Sequence, residues 1–62
     1  MSDIEIAVEV EANTDKAIMV ENLKGEKVWI PKSQISDYSG ENLDEAESIF
    51  IREWLAGEKD LI

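Results

Sequence analysis

The sequence predicts a small, mostly β domain of four or five antiparallel strands with a short C-terminal helix. Three observations predict it. Residues 4–11 alternate apolar and polar with period two. Two further apolar runs, 16–21 and 27–30, are separated by a loop that contains Gly25. The segment Arg52-Glu53-Trp54-Leu55-Ala56 has helical composition and is followed by Gly57.

In the first run Ile4, Ile6, Val8 and Val10 share one face and Glu5, Ala7, Glu9 and Glu11 the other. β-branched residues on one face and acids on the other describe a half-buried strand whose outer charges discourage edge-to-edge aggregation. Ala12-Asn13-Thr14-Asp15 is a turn cluster, because Asn, Asp and Thr side chains bond nearby backbone. Lys16–Glu21 is more continuously apolar, which places it centrally with both faces covered to some degree.

Asn22–Glu26 reads as a hairpin loop in which Gly25 supplies positive φ. Lys27-Val28-Trp29-Ile30 is the third strand, with Val28 and Ile30 on one face and Lys27 and Trp29 on the other. Pro31 has no N–H to donate, so it belongs at an edge, a bulge or a bend. A short fourth strand is expected over Lys32–Ile35, followed by the main loop, Ser36–Asn42. Residues 43–56 carry two patterns. Leu43, Ala46, Phe50 and Trp54 fit one helix over 43–57 with Asn42 as its cap, while Ser48-Ile49-Phe50-Ile51 is β-prone. Trp54 is expected to pack under the helix and Gly57 to end it. The strands together suit a small antiparallel sheet or an SH3-like or OB-like partial barrel.

The whole chain of 62 residues is read as a single domain. A domain of this size buries only about 60% of the surface its unfolded chain exposes. It has neither Cys nor His, which excludes disulfides and removes the usual zinc ligands. Good packing or a homo-oligomer is left as the means of compensation. No secretory leader and no membrane-length apolar run is present, so a cytoplasmic protein without membrane contact is expected.

Fifteen acids against six bases give a formal charge of −9. Residues 1–15 carry −5, residues 16–35 carry +2 and residues 36–62 carry −6. Such a chain is repelled by nucleic-acid phosphates unless its few bases form one patch. The bland reading of the acids is a solvated surface; the sharper one is mimicry of nucleic-acid charge toward a basic partner. Lys16, Lys24, Lys27 and Lys32 surround Trp29, the pattern of a single-strand-binding surface.

Catalysis is not expected. No His is available as a base near neutral pKa, and no carboxylate is singled out by spacing. The glycines at 25, 40 and 57 make no phosphate loop. Asp44, Glu45 and Glu47 lack the ligand spacing of a calcium loop. No cofactor and no metal is expected. The candidate partner surface is aromatic and charged: Trp29 and Tyr38, Lys27 and Lys32, and the acids Glu41, Asp44, Glu45 and Glu47.

Asp15-Lys16-Ala17, then Gly25 and Val28-Trp29-Ile30-Pro31-Lys32-Ser33-Gln34-Ile35, then Glu53-Trp54-Leu55-Ala56 with Leu61-Ile62, form a pattern over residues 15–62. It resembles a group of very small proteins encoded by phages, prophages and bacteria. In that group an apolar strand runs directly into a terminal tryptophan helix. The resemblance therefore implies a strand over 47–51 and a helix over 52–58. The chain departs from it at Arg52, where proline is frequent, and at Gly57, where a helix former is frequent. No catalytic residue carries over. What the group implies is a phage or mobile-element setting, in which small acidic proteins act on host machinery. The leading expectation is a non-enzymatic acidic protein that binds, and can inhibit, a host protein in the host cytoplasm. A single-stranded nucleic-acid module and a small-ligand-sequestering oligomer are the alternatives.

Overall fold

The fold is described for residues 3–62 from a computed structural model. It is mostly β and consists of two three-stranded antiparallel sheets and one short helix. Strands β1 (Asp3–Ala7), β6 (Ser48–Arg52) and β5 (Asp37–Tyr38) form the terminal sheet, in the order β1-β6-β5. Strands β2 (Val10–Asn13), β3 (Ala17–Glu21) and β4 (Lys27–Pro31) form the hairpin sheet, in the order β2-β3-β4. Helix α1 (Glu53–Glu58) follows β6 without a loop and packs against β6 and β1.

The alternation over residues 4–11 holds throughout, but it serves two strands. The chain leaves the terminal sheet at Val8, whose N–H donates to Glu47 O at 2.9 Å, and joins the hairpin sheet at Val10. The register slips between Val10 and Ala12, which marks a bulge at Glu11. A bulge bends a strand and sharpens its twist. One period-two segment can therefore line both inner faces.

Four residues close the β2–β3 turn. Thr14 Oγ1 donates to Ala17 O at 3.0 Å, and Ala17 N–H donates back to Thr14 Oγ1 at 3.2 Å. β3 is the central strand, as its apolar run predicts. Gly25 has φ +80°, which a side chain would oppose. Pro31 ends β4, an edge strand, where its missing donor costs nothing.

After Pro31 the sequence expectation fails locally. Lys32–Gln34 is a 3-10 turn rather than a strand, closed by Ile35 N–H to Lys32 O at 3.1 Å. The fifth strand lies further on, inside the stretch read as loop. Ser36 N–H reaches Phe50 O at 2.9 Å and Ser39 N–H reaches Ser48 O at 3.0 Å. These bonds to β6 create β5 among turn-forming residues. Leu43–Glu45 forms a second 3-10 turn, and β6 with α1 confirms a strand-then-helix reading of the C-terminal third. The sheets number six strands rather than four or five, and they do not close into a barrel.

The core lies between the inner faces. Ile4↔Ile51 and Ile6↔Ile49 pair across the terminal sheet, and Val20↔Val28 and Ile18↔Ile30 across the hairpin sheet. Ile18, Val20, Ile30, Ile49 and Ile51 are fully buried, and Leu55, Ala56 and Leu61 cap them from the C-terminal segment. Trp54 is 48% exposed, not packed beneath the helix. A six-residue helix presents a narrow buried stripe, and here Leu55 and Ala56 fill it; the small Ala56 lets the helix approach closely.

Gly57 lies within the helix, and the left-handed residue is Asp60 at φ 60°. Leu61 N–H donates to Ala56 O at 2.8 Å and Asp60 N–H to Gly57 O at 3.2 Å, the bond pair of a Schellman cap. The cap turns the chain so that Leu61 enters the core.

Candidate surface for partner binding

The expected site residues separate into two groups. Trp29 and Lys27 stand on the outer face of β4, and Lys32 lies just beyond its end. Tyr38 belongs to β5 in the other sheet, and Glu41, Asp44, Glu45 and Glu47 follow it in the connection to β6.

Lys27 is not a free cation. Its ammonium donates to Glu21 at 3.0 Å and also to Glu11, reaching across the sheet. Glu21 is the register partner of Lys27, while Glu11 is brought in by the bulge. The hydrogen bonds to Glu11 and then Glu21 raise the Lys27 pKa above its ordinary value. Lys24 pairs with Asp60 at 3.5 Å. Two of the four lysines around Trp29 are thus matched by carboxylates, which reduces what the hairpin offers a phosphate backbone. Trp29 itself is 46% exposed and lies opposite Met19.

The second group is built on the β5–β6 connection. Ser39 anchors it: its Oγ accepts the N–H groups of Glu47 at 2.9 Å and Ser48 at 3.1 Å. Asn13 on β2 donates to Asp44, which ties the acidic 3-10 turn to the edge of the hairpin sheet. Leu43 and Ala46 point inward and hold the turn to the core. Glu41, Asp44, Glu45 and Glu47 remain exposed, and among the described residues none of them is ion-paired. Tyr38, 37% exposed, stands at the head of this connection.

Sequence reasoning missed Glu11, Glu21 and Met19 as neighbours of Lys27 and Trp29. The Glu21–Lys27 pair was within reach by counting outward from the five-residue loop at Asn22–Glu26. Glu11 was not, because its position depends on the bulge. Asn22 was missed as well. It is buried, its Oδ1 accepts the N–H groups of Lys24 and Glu26 at 2.9 Å each, and its Nδ2 donates to Lys59 O at 3.0 Å. It therefore fastens the β3–β4 hairpin to the C-terminal segment.

Among the described residues no cavity is enclosed, no group of three or more acids gathers to hold a metal ion, and no helix is long and apolar enough to cross a membrane. The arrangement can present fixed charge and aromatic surface to a partner. In comparisons with family models, with curated proteins and with solved structures, this chain finds no match.

Proposed function

We propose that this chain is a non-enzymatic acidic binding protein of a phage or mobile element, which binds a host protein in the cytoplasm and inhibits it. The observation that carries this reading is the β5–β6 connection. It holds four exposed acids that are in no ion pair among the described residues, follows the exposed Tyr38, and is tied down by Ser39 and Asn13. A partner with a basic patch would meet charge that is already oriented. Such complementarity speeds encounter and rejects acidic competitors.

The test is a tagged pull-down from host lysate, with and without nuclease, read by mass spectrometry and repeated with Glu41, Asp44, Glu45 and Glu47 all changed to lysine. A host protein recovered despite nuclease and lost with the charge-reversed variant is the expected result. Its association with the native protein should slow as salt is added. Recovery that disappears with nuclease, or a complex indifferent to the charge reversal, would overturn the reading. The first of those outcomes would move the binding to nucleic acid.

A further inference from the structure

We infer that the outer face of the terminal sheet takes an arginine side chain of a basic partner, its guanidinium lying over Phe50 between the carboxylates of Glu5 and Asp37. The register sets these three residues in one rank: Glu5 on β1 opposite Phe50 on β6, and Phe50 opposite Asp37 on β5. Directly opposed residues project to the same side of a sheet. That side is the outer one, because the ranks before and after it, Ile4 with Ile51 and Ile6 with Ile49, turn to the core. Phe50 has no part in that core and stands half-buried between Ser48 and Arg52 on its strand. A single surface phenylalanine needs no explanation; one flanked by two held carboxylates does.

Each carboxylate is oriented through one oxygen. Ser48 Oγ donates to Glu5 Oε2 at 2.7 Å, and Tyr38 N–H donates to Asp37 Oδ1 at 2.8 Å. The other oxygens, Glu5 Oε1 and Asp37 Oδ2, accept no hydrogen bond among the described residues, and neither residue is in an ion pair there. The remaining outward residues of the sheet are Asp3 with Arg52 in one neighbouring rank and Ala7 with Ser48 in the other. Three carboxylates against one guanidinium leave the whole face at −2. The small Ala7 and Ser48 keep one approach to the ring low.

The spacing selects the occupant. Adjacent strands lie about 4.8 Å apart, so β1 and β5 are about 10 Å apart with the ring between them. A calcium ion holds its oxygens at about 2.4 Å, too close for both carboxylates at that separation. A lysine ammonium is a compact point charge that meets one of them. A guanidinium is flat, stacks on an aromatic face and carries five N–H donors around its edge, so it covers Phe50 and donates to both sides. A second copy of this chain fits poorly: its one arginine, Arg52, belongs to this same face and would bring another −2 with it. The site shares no residue with the acidic β5–β6 connection, so it goes beyond the surface proposed above and names the side chain that a basic partner presents.

An NMR titration of the isotope-labelled full chain with the peptide acetyl-Gly-Arg-Gly-amide tests this, alongside the same peptide carrying lysine or the neutral isostere citrulline, all at one ionic strength. The expected result is saturable movement of the Phe50 ring and of the Glu5 and Asp37 carboxylates with a millimolar dissociation constant for the arginine peptide. The lysine peptide should bind about threefold more weakly or worse, and the citrulline peptide not at all. Phe50→Leu, checked for a native spectrum, should raise the dissociation constant about two- to fivefold. Glu5→Gln, at an exposed position that the core does not use, should raise it about threefold. Equal binding of the arginine and lysine peptides would overturn the inference, as would the absence of any saturable movement or a Glu5→Gln variant that binds normally. Shifts centred on Glu41–Glu47 would remove this site and leave the proposed function standing. Phe50 signals that move with protein concentration alone would make Arg52 of a second copy the occupant, against the inference.

Discussion

The terminal sheet and the hairpin sheet are matched on the inside and unlike on the outside. Each has three strands, and each contributes fully buried β-branched residues to one core. On the outer face of the terminal sheet the aromatic is Phe50. Its two cross-strand neighbours are Glu5 on β1 and Asp37 on β5. Phe50 is only partly exposed, and anything approaching it meets a carboxylate on either side. On the hairpin sheet the aromatic is Trp29, at an edge strand, with Met19 beside it. The fold therefore flanks one aromatic with charge and sets the other beside an apolar neighbour. An exposed aromatic is informative through its neighbours as much as through its exposure.

The largest expected effect breaks the link between the two halves. Asn22→Ala removes the acceptor for two N–H groups and the donor to Lys59 O, so it should lower the free energy of unfolding by about 2 kcal/mol. A stability of about 3–9 kcal/mol is ordinary for this length, so the loss is readily seen in a urea titration. Asn22→Asp keeps the two acceptor bonds but turns a buried carboxylate oxygen toward Glu26 Oε1 and Lys59 O, so it should cost at least as much as Asn22→Ala. A milder loss for Asn22→Asp would mean that the two accepted N–H bonds outweigh the contacts of Nδ2.

A smaller effect sharpens the contrast between the faces. Phe50→Ala should destabilise the monomer by about 1–2 kcal/mol, through lost apolar burial. Trp29→Ala should cost less than about 1 kcal/mol in dilute solution, as substitutions on open surface do. Parallel thermal melts at low concentration compare them. A Trp29 loss larger than the Phe50 loss would show the hairpin face to be part of the monomer's own packing.

The smallest effect concerns Lys27. Its folded pKa is raised by Glu11 and Glu21, so the stability that this interaction contributes is fully present below the unfolded lysine pKa of about 10.4. It fades only as pH climbs through the raised folded value. Stability should not vary from this source near neutral pH. An NMR titration of the Lys27 side chain checks it, with a midpoint above the ordinary lysine value expected. A midpoint at the ordinary value would mean that the ion pairs do not persist in solution.

Much of the fold was legible because it is written locally. The alternation of Ile4, Ile6, Val8 and Val10, the central rank of Ala17–Glu21 and the hairpin at Gly25 follow from period and turn chemistry. The partner surface was legible only as a set of residue types. Trp29 and Tyr38 were candidates for a partner surface and both prove exposed, but nothing local decided whether Trp29 lies in the core, that the two occupy different sheets, or that Lys27 is held by two acids.

The sequence by itself determined which residues turn inward along the alternating run from Ile4 to Val10 and along Lys27–Ile30, and where the main hairpin bends. These depend on side-chain period and backbone preference within a few neighbouring residues. The tertiary structure alone decided that the first alternating run is shared between two sheets, that β5 forms at Asp37–Tyr38 and that Trp54 stays outside while Leu55 and Ala56 go in. Each of those outcomes rests on partners far along the chain: Glu47 for Val8, Phe50 and Ser48 for β5, and the β1–β6 pair for the helix. A local pattern can prepare such contacts, but only the whole chain's competition for backbone partners and buried volume selects them.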